Sequence, residues 1–241
     1  MNKRNIVIPM AGMGQRFVDA GYTDPKPMID VLGKPMVFQA IDSMGIDGEY
    51  TFIGQDPLFN NMDIINKFVR FREKSGFIGL NFITRGATDT VLKAIDLIDN
   101  DIPLIIVNCD QIVKWNPDTF INLLNGSADG VIALFKNSDP KWSFAELDAN
   151  GNVIRVAEKD PISDNASVGI YGWKRGSDFV KYAKQMIEKD IRVNGEFYIC
   201  PVYNEAIQDG KTIVSMFVEE MHGLGTPEDL RTYLDQNSTQ G

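Results

Sequence analysis

Cysteine is scarce in this sequence of 241 residues: Cys109 and Cys200 are the only two, with no disulfide framework and no paired metal-ligand spacing. Histidine is scarcer still. His222 stands alone, which suits a hydrogen-bonded structural residue, or a substrate contact because it lies beside the Gly225-Thr226 turn. No basic stretch occurs, and 24 Lys and Arg against 33 Asp and Glu leave a net charge of −9, which argues against a nucleic-acid face. An acidic chain can still bind phosphate, because only the pocket must be positive. No apolar run approaches the roughly 20 residues that cross a bilayer. The run 6–11 is too short for a secretory leader and contains Pro9. What is present is ordinary for a globular protein: 44% hydrophobic and 24% charged residues, a balance that opposes disorder. The expectation is an acidic cytoplasmic protein with reduced thiols and neither nucleic acid nor membrane as partner.

No repeat or low-complexity linker divides the chain, and its length suits one α/β domain over 1–241. Apolar runs at 5–9, 50–54, 80–84 and 104–108 read as buried strands. Helices are expected from Pro35 after the turn Leu32-Gly33-Lys34, and from Pro57 to about Arg72 with Asp56 as N-cap. Two more are expected over 89–97 and from Pro117 behind Asn116. This alternation predicts an α/β fold with a mainly parallel sheet flanked by helices. After about residue 135 the pattern changes. Segments 143–147 and 153–158 flank Asp148-Ala149-Asn150-Gly151-Asn152, a hairpin turning on Asn-Gly. A strand over 167–173, a helix over 178–189 and a strand over 212–218 follow. A last helix starts at Pro227 behind the Thr226 N-cap, and the polar tail 236–241 is expected to fray.

The most informative segment is the opening strand running into Met10-Ala11-Gly12-Met13-Gly14-Gln15-Arg16-Phe17. Gly12 and Gly14 allow a tight turn that brings backbone N–H groups to phosphate oxygens, which Arg16 can grip with its planar fork. The dinucleotide fingerprint is excluded, because Phe17 stands where its third glycine belongs, and no Walker Gly-Lys-Ser/Thr follows. Downstream, Pro25 and Pro27 stiffen the backbone around Lys26 and aim its ammonium. A solvated lysine in a stiff loop is the alternative there, as a generic capping carboxylate is for Asp110.

Taken together, these two segments resemble the sugar-phosphate nucleotidyltransferase superfamily, which carries Gly-x-Gly-x-Arg, a short spacer and Pro-Lys-x-Leu on a Rossmann-like, glycosyltransferase-A-type fold. The resemblance runs from residue 5 to about 232. Gly86-Ala87-Thr88 matches the loop that the family places under the nucleobase, and Asn108-Cys109-Asp110-Gln111 falls at its metal motif. Trp142-Ser143-Phe144, Ala157-Glu158-Lys159, Val168-Gly169-Ile170-Tyr171 and Gly195-Glu196 follow the acceptor half in order. The resemblance implies transfer of NMP from an NTP to a phosphorylated small acceptor with release of pyrophosphate. It implies a nucleotide half over about 1–135 and an acceptor half over about 136–235. Arg16 and Lys26 would be catalytic, and Met10 to Gly14, Gly86, Ala87 and Asp110 would hold the nucleotide. Asp110 would carry Mg²⁺, or Mn²⁺ in its place, while Glu158, Lys159, Gly169 and Glu196 would hold the acceptor, with Tyr198 a lesser candidate on the same wall. On the residues alone, Glu158 and Lys159 are neighbours on a strand, so one of them is expected to face solvent.

Three departures separate this chain from the hexose-1-phosphate members. Ser143 replaces a glycine that lies against the sugar. Gly223 falls where a second metal-binding aspartate is expected. Around Thr84-Arg85 there is no match for the glutamine of thymidylyl and uridylyl members. The reading therefore inclines to cytidylyl transfer in a capsule or surface-polysaccharide subgroup. A glycosyltransferase of the same fold is the alternative, though it calls for Asp-x-Asp where Asn108 precedes Asp110 by two. A non-catalytic nucleotide sensor is the other.

Overall fold

The structure, a computed structural model, describes residues 3–237. Its first part alternates strand and helix. β1 (Asn5–Met10), α1 (Gln15–Asp19), a 3-10 turn (Lys26–Met28), β2 (Asp30–Val31), β3 (Lys34–Pro35) and α2 (Met36–Met44) come first. Then come β4 (Glu49–Gln55), α3 (Asp56–Phe59), α4 (Met62–Phe71), β5 (Ser75–Leu80), α5 (Ala87–Val91), a second 3-10 turn (Leu92–Ala94) and α6 (Ile95–Ile98). The centre holds β6 (Leu104–Val107), β7 (Gln111–Lys114), α7 (Pro117–Asn125) and β8 (Gly130–Lys136). The remainder is β9 (Ser143–Leu147), β10 (Val153–Glu158), β11 (Asn165–Trp173), α8 (Gly176–Glu188), α9 (Val202–Gln208), β12 (Ile213–Phe217), β13 (Glu220–Gly223) and α10 (Pro227–Asn237).

Nine strands form one mixed sheet in the order β10-β9-β11-β6-β1-β4-β5, with β8 against β11 and β12 against β8. β6, β1, β4 and β5 run parallel, whereas β11, β9 and β10 are antiparallel. Alternation along each strand builds a core on both faces. Val7, Leu104, Ile106, Ile132 and Leu134 pack in one cluster; Ile6, Ile8, Ile105, Val107, Val131 and Ala133 pack in the other. Strands covered on both sides need continuous apolar runs, which is why β6 reads Leu-Ile-Ile-Val. A third cluster joins Phe17, Ile29, Val31, Met36, Leu224 and Leu230. It seats α10 against α1 and the turn after Lys26, and so holds together the segments that carry Arg16 and Lys26.

Where turn chemistry decides, the elements fall as the sequence implies. Asn116 caps α7 through the Asp118 amide, and Thr226 Oγ1 accepts from the Asp229 amide at the start of α10. The 148–152 turn closes through Asp148 N to Asn152 O at 2.9 Å, with Gly151 in the left-handed region. Four expectations need correction. The strand expected at 80–84 is β5, several residues earlier: Phe82 and Ile83 stand 49% and 72% exposed in a loop, and the glycine-bearing 75–80 segment takes the sheet edge. The helix expected from Pro57 to Arg72 is two helices, because the Asn61 side chain accepts from the amides of Asp63 and Ile64 and restarts the turn. Asp56 is the first residue of α3, not its cap. The helix expected over 89–97 is α5, a 3-10 turn and α6, with Thr90 Oγ1 bonded back to Gly86 O at 3.1 Å, a contact that bends helices. β8 escapes the periodicity reading altogether, since a short all-apolar run looks alike as strand or buried helix. Of the tail expected to fray, Gln236 and Asn237 close α10, and 238–241 lie outside the described residues. Among the described residues no helix is long and apolar enough to cross a membrane.

Candidate functional site

β1 and β6 are parallel neighbours, so the loops leaving their C-terminal ends emerge side by side at one sheet edge, where open α/β sheets gather ligands. The first loop enters α1 through Gly14, whose φ of +63° favours glycine. A Cβ there would also sit 2.9 Å from Lys26 Cβ, so glycine lets the lysine loop close against this one. Gly12, by contrast, is exposed with open space around it. Lys26 follows Pro25 into the 3-10 turn and extends its Nζ to Asp110 Oδ2 at 2.6 Å. Burial lowers the affinity of this amine for its proton, but the Asp110 carboxylate outweighs that effect and leaves the lysine pKa raised. Asp110 is anchored from the far side: its carbonyl accepts from the Leu224 amide at 2.7 Å. Burial pushes the neighbouring Cys109 thiol up to about 12, which makes it an inert packing group.

The antiparallel strands supply the opposite wall. Gly169 adopts φ +80°, and a Cβ there would meet Asn108 Nδ2 at 2.4 Å, so glycine permits β11 to press against the loop after β6. Glu158 ends β10 buried and accepts from Ser143 Oγ. Burial raises its pKa, opposed by the Ser143 hydrogen bond and the Lys159 charge and aided by Glu196. Lys159 then turns to φ +56°, a left-handed conformation that costs about 1–3 kcal/mol in a residue other than glycine. Its amide is held by Trp142 O at 2.9 Å and its Nζ by Tyr198 OH at 2.6 Å. That turn breaks the strand alternation, and Glu158 and Lys159 both line the cleft. The expectation that one would face solvent is thereby corrected.

The result is a cleft of about 330 Å³ between the parallel and antiparallel parts of the sheet. It brings together Arg16, Lys26, Ala87, Asp110, Glu158, Lys159 and Gly169. The other expected residues stand apart from the lining. Met10 and Ala11 are buried, Met13 is 58% exposed, and Gly12, Gly14 and Gly86 are not part of the lining. Glu196 is exposed in the 193–196 bridge and His222 packs on Tyr233, both outside the lining. Arg16, Lys26, Lys141 and Lys159 outnumber the cleft carboxylates Asp110, Glu158 and Asp229, which gives a net −9 chain a cationic pocket.

Sequence reasoning left out Lys141, Ser167 and Asp229 and gave Asn108 and Tyr171 no role, yet all five line this cleft. Ser167 and Tyr171 carry a legible signal, since they stand two residues either side of Gly169 on one strand. Lys141 and Asp229 pair at 2.9 Å across 88 residues, and no local pattern announces that contact. Gly223 is explained sterically: a Cβ there would sit 2.6 Å from Trp142 Cη2, so the indole fills the space a second carboxylate needs. Among the described residues no cluster of three or more His, Cys, Asp or Glu is placed to hold a metal.

Comparison with known proteins bears on this geometry. The profile of the family described as Nucleotidyl transferase matches residues 6–239. The crystal structure of the nucleoside-diphosphate-sugar pyrophosphorylase from Vibrio cholerae RC9 superposes with a TM-score of 0.83 at 30% identity, covering 96% of this chain and 100% of that one. Bifunctional protein GlmU of Methanocaldococcus jannaschii is 25% identical over 234 residues, which are 93% of this chain and 52% of that protein. Low-salt glycan biosynthesis nucleotidyltransferase Agl11 of Haloferax volcanii is 26% identical over 233 residues, 93% of this chain and 63% of its own length. This chain thus spans little more than half of that GlmU and less than two thirds of Agl11.

Proposed function

The chain belongs to the nucleotidyl transferase family, and from that membership we propose that it transfers NMP from an NTP to a phosphorylated small acceptor, a sugar phosphate or similar, and releases pyrophosphate. One observation carries the reading: Arg16, Lys26 and Lys159 line a single cleft with Asp110 in an acidic protein. A phosphate oxygen of the acceptor attacks the α-phosphorus in line, and the bond to the departing pyrophosphate breaks as the new P–O bond forms. The protein's task is positioning and charge stabilisation. Backbone amides of the loop over 10–14 hold the nucleotide phosphates, and Gly86-Ala87 lies under the base. Arg16 takes up charge on the leaving pyrophosphate, and Lys26 bridges the reacting phosphates. Lys159 binds the acceptor phosphate, Glu158 accepts from an acceptor hydroxyl, and Gly169 admits the acceptor to the backbone. Glu196, exposed at the edge, serves as an outer acceptor contact.

The donor set fits Mg²⁺, with Mn²⁺ as substitute, on one condition. Magnesium is held by one or two carboxylates together with substrate phosphates, and Asp110 supplies one carboxylate while Trp142 closes the space at Gly223. Asp110 and the NTP phosphates would therefore hold the ion, which when bound would neutralise phosphate charge. Cytidylyl transfer is the first choice of base. Thr84 and Arg85 offer no glutamine to a thymine or uracil edge, and the nearby Gln55 amide nitrogen already donates to Ala11 O at 2.8 Å. The product would be an activated precursor for surface-glycan synthesis, made in the cytoplasm where thiols such as Cys109 and Cys200 stay reduced. The test is a matrix of NTPs against phosphorylated acceptors, read by pyrophosphate release. Release that needs one NTP and one acceptor class together is expected; NTP binding without release for any acceptor overturns the reading.

A further inference from the structure

We infer that Tyr198 is a positioning residue that fixes the Lys159 ammonium relative to the bound NTP, an inference that rests on the proposed transfer reaction. Lys159 leaves its strand in a left-handed conformation, and its side chain ends on the Tyr198 hydroxyl at 2.6 Å, with the ammonium 4.7 Å from the centre of the same ring. No carboxylate forms an ion pair with Lys159 among the described residues, so the phenol is the contact that orients this cation. Tyr198 itself is not free to move. Its carbonyl accepts from Thr88 Oγ1 at 2.7 Å, and the adjoining Phe197 exchanges hydrogen bonds with the other loop, N to Arg85 O at 2.8 Å and O from Thr88 N at 3.0 Å. These bonds lace the 197–198 segment to the 85–88 loop, the loop proposed to lie under the nucleobase. The ammonium that receives the acceptor phosphate is therefore referenced to the nucleotide side of the cleft as well as to its own strand. A phenol suits this task, since its oxygen accepts from an ammonium without neutralising the charge that a phosphate needs.

The test is Tyr198→Phe, which keeps the ring and removes only the hydroxyl, beside Lys159→Met and the double variant. The expected result is a rise in acceptor KM of about ten- to a hundredfold for Tyr198→Phe, the worth of one charge-assisted hydrogen bond. NTP KM and melting temperature should stay at wild-type values, and the double variant should be no worse than Lys159→Met alone. An unchanged acceptor KM in Tyr198→Phe overturns the inference, as does additivity in the double variant. The same comparison can be made without turnover by titrating inorganic phosphate onto enzyme saturated with a non-hydrolysable NTP. A wild-type chain that transfers nothing sinks the proposed reaction, while phosphate affinity still decides the Tyr198–Lys159 link: weakening in Tyr198→Phe that adds nothing on top of Lys159→Met supports it, and wild-type affinity in Tyr198→Phe refutes it.

Discussion

Replacing Gly86 by alanine tests how the two sides of the cleft are joined. Gly86 has φ +125° and ψ 177°, a conformation essentially confined to glycine. A Cβ there would lie 2.5 Å from Phe197 N, 2.6 Å from its O and 3.0 Å from its C. These are backbone atoms, so relief requires the 85–88 and 197–198 segments to part. Parting them breaks the Phe197–Arg85 and Thr88–Phe197 hydrogen bonds. Conformational strain of about 1–3 kcal/mol and two bonds of about 0.5–1.5 kcal/mol each give an expected loss of about 2–6 kcal/mol. Urea denaturation at neutral pH measures it. Gly12→Ala is the control: nothing lies within 4 Å of its Cβ, so it should stay within about 0.5 kcal/mol of wild type. If Gly86→Ala unfolds at the wild-type urea concentration, the close packing of these segments is wrong.

Arg16→Ala should lower turnover about 10²–10³-fold, or about 2.7–4 kcal/mol of transition-state stabilisation; the residue is exposed, so the fold should persist, and normal turnover in a folded variant removes it from the mechanism. Glu158→Gln should change stability with pH. Burial holds the folded carboxyl above its ordinary range; the stability this lends is present below the unfolded value of about 4.3 and is lost as pH rises through the folded one. The variant should therefore melt higher than wild type at pH 7 and converge with it toward pH 4, and a gap independent of pH contradicts the assignment. Leu230→Ala empties a fully buried position in the cluster that seats α10, at a cost of about 2–5 kcal/mol by denaturant titration; a cost near zero shows that α10 is not packed there.

Local chemistry made much of this molecule legible. The strand-to-glycine-loop opening, the Asn116 and Thr226 caps and the 148–152 turn each rest on residues within a few positions of one another. So do Arg16 and Lys26, which enter the cleft from α1 and the 3-10 turn that follows it. What escaped depends on distance or on environment. β5 is an edge strand, and its glycines weaken the strand signal; Gly79 leaves room for the Asp56 carboxylate, which a Cβ there would displace. Tyr198 reaches Lys159 across 39 residues, and Trp142 meets Gly223 from about twice as far along the chain. Neither contact has a periodic signature. The position of Lys159 was readable, but its left-handed turn was not, and that turn brings it into the cleft beside Glu158.

The most direct test of nucleotidyl transfer follows each phosphorus of the NTP. Enzyme is incubated with Mg²⁺, a phosphorylated acceptor and CTP or another NTP, labelled in separate runs at the α- and γ-phosphorus. The account predicts that the α label appears in the acceptor-linked product and the γ label in pyrophosphate, one of each per turnover. A γ label on the acceptor, or an α label left in free nucleotide, would contradict it.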